Sequence, residues 1–396
     1  MKLSINKYSG LLGGALLSML SSSSWAVVNC SFAPGAAQIE TVPLSPPVIS
    51  AGADIPVGTI IYQGSWLLRD VYMECHWEAS DHNKSFWFSV STLIGNAPLP
   101  LSNLMTGPFA GAVYQTNIPG VGVAISRAAY GTPIVPGRPA VTTDIEVATL
   151  QNSGSGYNFT AARRYVSLIK TGTITPGNYS INGSSFPTIK TTVEPPVNSH
   201  IGSIPIASGV PFTVHNINFQ GNLTVSTQTC TTPDVSVTLG TYDINKTFKG
   251  INSTTPWIDS SITLTNCPTF HGFYNNTNTT LLMDYKTGQG NVSQSLNNSI
   301  GVRLTPTSEV KDAANGVMAI DSTVSEAASG VGIQLGWGMS NQTPVPFNFS
   351  AEQSMALPKD GSTTIRVPLS ARYIQTDARP TPGKANGKVV FLVNYY

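Results

Sequence analysis

Two short stretches of the chain hold the residue types that recognise sugars. Between Arg69 and Phe88, Asp70, Tyr72, His76, Trp77, Asp81, His82, Asn83 and Lys84 crowd close to Trp87, and residues 151–158 read Gln-Asn-Ser-Gly-Ser-Gly-Tyr-Asn. Binding a saccharide takes an aromatic face for the apolar side of the ring and short Asp, Asn or Gln side chains for its paired hydroxyls. The candidate receptor-binding residues are therefore Asp81, His82, Asn83 and Trp87 from the first stretch and Gln151, Asn152 and Tyr157 from the second. Trp87 alternates with Phe86 and Phe88, which puts it on the opposite face of a strand. Each stretch also has a plainer role, a core tryptophan in the first and a solvated hairpin connection in the second.

Other chemistries find less support. Glycoside hydrolysis needs two positioned carboxylates, and Asp70, Glu74, Asp81, Asp144 and Glu146 are available, but their spacing singles out no pair. No G-x-S-x-G elbow or zinc-protease motif occurs, so an exported carbohydrate-active enzyme is the remote alternative. His76, His82 and Asp81 are a weak metal set, because His76 directly follows Cys75 and strand alternation turns it away from the others. No cofactor and no metal are expected. Arg163 and Arg164 read as a solvated pair at a strand start, and Trp257 and Trp337 as core or edge-packing residues.

Many short strands must carry these residues. Only 10% of the 396 residues are charged, with Lys plus Arg at 21 against Asp plus Glu at 20, so no basic field exists to gather nucleic acid. The 36 glycines and 28 prolines point to an all-β chain of strands and turns. Residues 364–373 alternate apolar and polar with a proline at 368 that fits an edge or bulge. Val235-Val237-Leu239, Val331-Ile333-Leu335 and Phe86-Phe88-Val90 alternate in the same way, whereas 308–328 is too irregular for an amphipathic helix. Residues 1–26 combine Lys2 and Lys7, an apolar run over 11–20 and a small-x-small site at 24–26, the pattern of a signal peptide. Four cysteines in an exported chain make two disulfides, and the local connectivity pairs Cys30 with Cys75 and Cys230 with Cys267. The expected organisation is a signal peptide over 1–26, a first β-sandwich over 27–215 and a second over 216–396.

The last nine residues, Lys-Val-Val-Phe-Leu-Val-Asn-Tyr-Tyr, form an apolar strand that needs a cover, since an unpaired apolar edge invites other chains. With Tyr395 in the penultimate position and Gly383 fourteenth from the end, residues 216–396 resemble the subunits of chaperone-usher fimbriae of Gram-negative bacteria. The segments Asp234–Gly240, Ile262–Pro268 and Gly330–Leu335 agree with pilin landmarks in order. The resemblance implies an incomplete immunoglobulin-like sandwich whose missing strand is donated by another chain. A periplasmic chaperone would pair with Val389, Phe391, Val393 and Tyr395 and capture the carboxylate of Tyr396, an outer-membrane usher would follow, and the adjacent fimbrial subunit would then replace the chaperone's strand. Ordinary subunits carry a donor extension ahead of the pilin cysteine; here only Val27, Val28 and Asn29 separate the expected cleavage site from Cys30. That implies a tip subunit at the cell surface, exported through the periplasm. Segments 54–61, 116–123 and 166–172 are similar to adhesin domains of the same fimbriae, so the first unit is expected to bind a host glycan or a matrix protein. The alternative is a structural fimbrial cap or minor subunit with no receptor.

Overall fold

The computed structural model describes residues 28–32, 37–44, 47–137, 140–159, 162–196 and 207–396; the expected signal peptide lies outside them. Strands make up nearly all the regular structure, as expected, and helix among the described residues is confined to single turns such as Ile244–Thr247. Both local disulfides, Cys30–Cys75 and Cys230–Cys267, are formed.

The first unit packs two sheets face to face. One runs in the order Asn178–Asn182, Phe212–Ser226, Ile189–Glu194, Ser85–Ile94 and Ala140–Ala148; the other contains Ile60–Leu67, Arg163–Lys170, Val121–Ser126 and Tyr114–Gln115. A third, small sheet places Val71–Trp77 between Val28–Phe32 and Gly154–Phe159. The interior is divided. Register sets Gln38, His215, Thr191 and Thr92 in one row across four strands, pointing to one face. One core, with Ile189, Ile217 and Trp66, lies on one side of this polar row, and a second, with Phe88, Val193 and Val214, lies on the other. Arg164 enters the row from the facing sheet and donates through Nη2 to Thr92 Oγ1 at 2.9 Å. The expected solvated pair is thus split: Arg163 is exposed, but Arg164 is buried, because alternation along Arg163–Lys170 turns only one of two neighbours outward.

The second unit is a smaller sandwich. The sheet Gln353–Ala356, Ser299–Pro306, Val389–Tyr395 faces one built on Leu369–Gln375, Val331–Trp337 and Val317–Ala319. Ile300, Val302 and Leu304 meet Leu369, Val367 and Ile262 between the layers. The alternation over 364–373 becomes two strands, Ile365–Val367 and Leu369–Gln375, broken at Pro368, which cannot donate to a ladder. The expected strand over 235–239 is absent: the segment crosses the open side of the sandwich without a neighbour to pair with, leaving Val235 and Val237 exposed. Trp257 stacks on Arg372, whose guanidinium lies 4.1 Å from the ring centroid, and Trp337 packs on Phe347.

The expected boundary between residues 215 and 216 falls inside the strand Phe212–Ser226, whose last five residues pair with Asn178–Asn182 of the first unit. The strand continues because Ile217, Phe219, Leu223 and Val225 alternate into the first core. The two units are also joined in space. Thr280–Asp284 of the second unit adds in parallel to Ile60–Leu67 of the first, and Tyr62 Oη lies 3.2 Å from Thr280 Oγ1. Gly64 has no side chain where Leu282 rests; a Cβ there would sit 2.6 Å from Leu282 Cδ1.

Candidate functional site

Two places on the molecule have the chemistry of recognition. The first is the open side of the second sandwich. Residues 234–242 form one wall of a groove of about 1040 Å³, Val389 and Phe391 on the last strand form the other, and Leu304, Ile333 and Leu335 lie at its base. Val389–Tyr395 is the edge strand of its sheet, and among the described strands it is laddered to Ser299–Pro306 alone. Alternation sends Val389, Phe391, Val393 and Tyr395 toward the core, while Val390 and Leu392 are more than half exposed at 54% and 55%. An apolar edge strand beside an apolar groove has the geometry that strand addition uses.

The expected landmarks each have a physical task there. The Tyr395 ring is buried and stacks on Phe270, and its hydroxyl accepts a hydrogen bond from the backbone N–H of the disulfide residue Cys230 at 3.2 Å. Burial pushes its phenol above the ordinary tyrosine range, so it stays a neutral hydroxyl. Gly383 lies against backbone: a Cβ there would come within 2.5 Å of Ala328 N and Glu326 O, which only glycine avoids.

The second place is one end of the first unit. The turn after Val71–Trp77 and the connection at 149–153 are hydrogen-bonded together, Asn83 N to Thr149 O at 3.0 Å, Thr149 N to Lys84 O at 2.7 Å, and Trp77 N to Ser153 O at 2.9 Å. Asp81, His82 and Asn83 are thereby brought beside Gln151 and Asn152, which are far apart in sequence. Asn83, Gln151 and Asn152 are exposed, and Asn83 takes the left-handed conformation at φ 61°, a tight-turn geometry that short polar side chains tolerate. Asp81 is held by Lys84 at 2.7 Å. Trp87 sits further along, paired with Glu146, half-buried and on the face opposite buried Phe86 and Phe88. The backbone of Tyr157 pairs with Met73; its side chain lies outside the described residues. Tyr72 and His76, from the same sequence region, lie on the outer face of Val71–Trp77 and cover Gly156 and Gly154.

Three of the five carboxylates named for hydrolysis have structural tasks. Asp70 pairs with Lys286 at 2.9 Å, Asp144 accepts from Ser89, and Asp81 holds its own turn. No group of three or more His, Cys, Asp or Glu side chains is arranged to hold a metal among the described residues.

Residues 217–396 match the family model described as fimbrial protein, so the open-sided second unit is a fimbrial domain. A fimbria adhesin protein of Klebsiella pneumoniae is 24% identical over 355 residues, spanning 86% of this chain and 87% of that one. Among solved structures, the CupB6 tip adhesin of Pseudomonas aeruginosa is 16% identical with a TM-score of 0.33, covering 93% of this chain and 95% of that one. The complex of the chaperone CsuC with the tip adhesion subunit CsuE of Acinetobacter baumannii gives 12% identity and a TM-score of 0.24, over 92% of this chain and 99% of that one. Residues 217–396 thus carry a fimbrial-protein domain, and the chain as a whole is similar to a fimbria adhesin protein. These likenesses favour a structural or adhesive role over a catalytic one.

Two residues at the end of the last strand carried no signal in the sequence. Asp54 and Gly52 of the first unit touch the last strand: Tyr395 N donates to Asp54 Oδ2 at 2.9 Å, Asp54 N donates to Tyr395 O at 3.0 Å, and a Cβ on Gly52 would lie 2.1 Å from Tyr395 O. Nothing local in Ala-Gly-Ala-Asp marks a contact more than three hundred residues away.

Proposed function

We propose that this protein is the tip adhesin of a chaperone-usher fimbrium, with a receptor-binding first unit and a second unit that joins the fibre by accepting a donated strand. The observation that carries this reading is the apolar groove beside the edge strand Val389–Tyr395. A strand from the adjacent fimbrial subunit completes the sandwich; before assembly a periplasmic chaperone occupies the same groove and delivers the protein to the outer-membrane usher. The earliest described strand, Val28–Phe32, supports a receiving role, because it is paired within its own sheet and tied to Val71–Trp77 by Cys30–Cys75. The division into a receptor unit and a fimbrial unit is drawn after Ser226, where the shared strand ends.

The receptor surface is the joined end formed by residues 79–84 and 149–153, with Trp87 next to it. Its exposed amides at Asn83, Gln151 and Asn152 and the carboxylate of Asp81 suit the hydroxyls of a host glycan. Binding of the full-length protein, co-purified with its chaperone, to a glycan array and to immobilised matrix proteins tests this. A saturable glycan signal that falls at least tenfold in Asn83→Ala, Gln151→Ala or Trp87→Ala supports a lectin site there. A matrix-protein signal alone moves the receptor class to protein, and silence from a folded protein on both supports a structural cap.

A further inference from the structure

The hydrogen-bond pattern of the last strand defines which of its rungs an incoming strand can claim. Ser299 and Tyr396 exchange both backbone bonds, at 3.1 and 2.8 Å, and Thr307 N donates to Lys388 O at 3.0 Å. In an antiparallel ladder the bonded pairs alternate, so residues 388, 390, 392, 394 and 396 spend their backbone groups on Ser299–Pro306. Residues 389, 391, 393 and 395 turn theirs to the free edge. Of these, Tyr395 is already bonded at both N–H and C=O by Asp54 of the first unit. Asp54 is fixed in turn by its own unit: Lys170, buried in the strand Arg163–Lys170, donates through Nζ to Ala53 O at 2.5 Å. Gly52 lets the two backbones come this close.

We infer that Asp54 closes the end of the strand-accepting edge and sets the register of the donated strand, which pairs at Phe391 and Val393 and stops short of Tyr395. This rests on the strand-accepting reading above and extends it, because the first unit then contributes a positioning residue to the groove of the second. A strand that slid one rung pair further would have to expel Asp54 and part the two units at that point. The expected chaperone contact at Tyr395 is accordingly moved to Val389, Phe391 and Val393.

Amide hydrogen exchange on the full chain tests it, with a synthetic peptide of alternating apolar residues as the incoming strand. Without peptide, the Tyr395 amide exchanges slowly while those of Phe391 and Val393 exchange fast; with peptide, Phe391 and Val393 become slow and Tyr395 is unchanged. In Asp54→Ala, Tyr395 exchange without peptide rises about tenfold or more, as loss of a bond of about 1.4 kcal/mol requires. The peptide then slows Tyr395 as well, because the stop is gone. Asp54→Asn, whose amide oxygen still accepts, restores the wild-type pattern. Equal exchange of all three amides in the free wild type, or peptide protection of Tyr395 alike in wild type and Asp54→Ala, overturns the assignment of Asp54. Fast exchange of Phe391 and Val393 at saturating peptide in every variant overturns the strand-accepting reading itself.

Discussion

Glu40 and His215 show what burial does to single residues. Both are almost wholly buried, with Glu40 Oε1 3.6 Å from His215 Nε2 and 3.4 Å from the Arg69 N–H. Burial raises the Glu40 carboxyl from 4.5 to about 7, and burial together with Arg69 and Arg164 lowers the His215 imidazole from 6.5 to about 4. For Glu40 the folded state holds its proton more tightly, so its contribution is lost as pH rises from about 4.5 through 7. For His215 the unfolded state binds the proton better, so its contribution is lost as pH falls from about 6.5 through 4. Between pH 4.5 and 6.5 the two slopes oppose each other, and the pair holds one proton in either state. Thermal melts should accordingly show Tm rising with pH over 4–6.5 in Glu40→Gln and falling over 4.5–7 in His215→Asn; parallel profiles in the two variants would remove the pair from the explanation. A different single-residue demand sits at Gly383, where the Cβ of Gly383→Val meets backbone on two sides. Urea unfolding should place that variant about 1–3 kcal/mol below wild type.

Strands report unequally in the sequence, according to where their partners come from. The alternation of Ile365–Val367 and Leu369–Gln375 was legible as one run with an irregularity at Pro368, because alternation and a proline are local properties, whereas the split into two strands was not. The Val235-Val237-Leu239 alternation is as clear, yet no strand forms, because the neighbour it needs belongs to another molecule in the strand-accepting reading. Thr280–Asp284 gave no sign of its destination: parallel pairing to Ile60–Leu67 joins segments more than two hundred residues apart, and no local pattern encodes that. At the proposed receptor end, residue types pointed to the two stretches separately, but only the Thr149–Lys84 and Asn83–Thr149 hydrogen bonds make them one surface. Two elements have testable weight. Removing Val389–Tyr396 takes away the wall of the groove and the cover of Ile300 and Val302, so the exported truncation should be degraded or aggregate in the periplasm; recovery of an assembled truncation would defeat the strand-accepting account. Reducing Cys30–Cys75, which ties two strands 45 residues apart in sequence, should lower the first unit's stability by about 2–5 kcal/mol in urea unfolding.

The whole molecule is more tightly joined than two sandwiches on a linker. Tyr274 belongs to the core of the first unit, and Leu282, Tyr285 and Tyr396 pack against it, although all four come from the second. Asn298 Nδ2 reaches Ser50 O at 3.0 Å, and Lys286 pairs with Asp70. A fragment cut at residue 215 would divide the strand Phe212–Ser226 and strip Leu223 and Val225 from the core. Fragment 27–227 should therefore be soluble where 27–215 is not, and should still unfold at lower urea than the first unit within the full chain. Equal midpoints would mean that the joint adds nothing to stability.

The parallel addition of Thr280–Asp284 to Ile60–Leu67 has a consequence for a molecule held at both ends. In the proposed reading, traction from the fibre enters through a donated strand seated against Val389–Tyr395, and resistance from a surface enters at the turn carrying Asn83. Between those two points the load crosses a ladder of backbone bonds lying side by side with the Asp54–Tyr395 clasp, so the bridge between units has several strands of a rope in place of a single hinge, and a pull on the shaft arrives at the grip as tension without first being spent on straightening a joint.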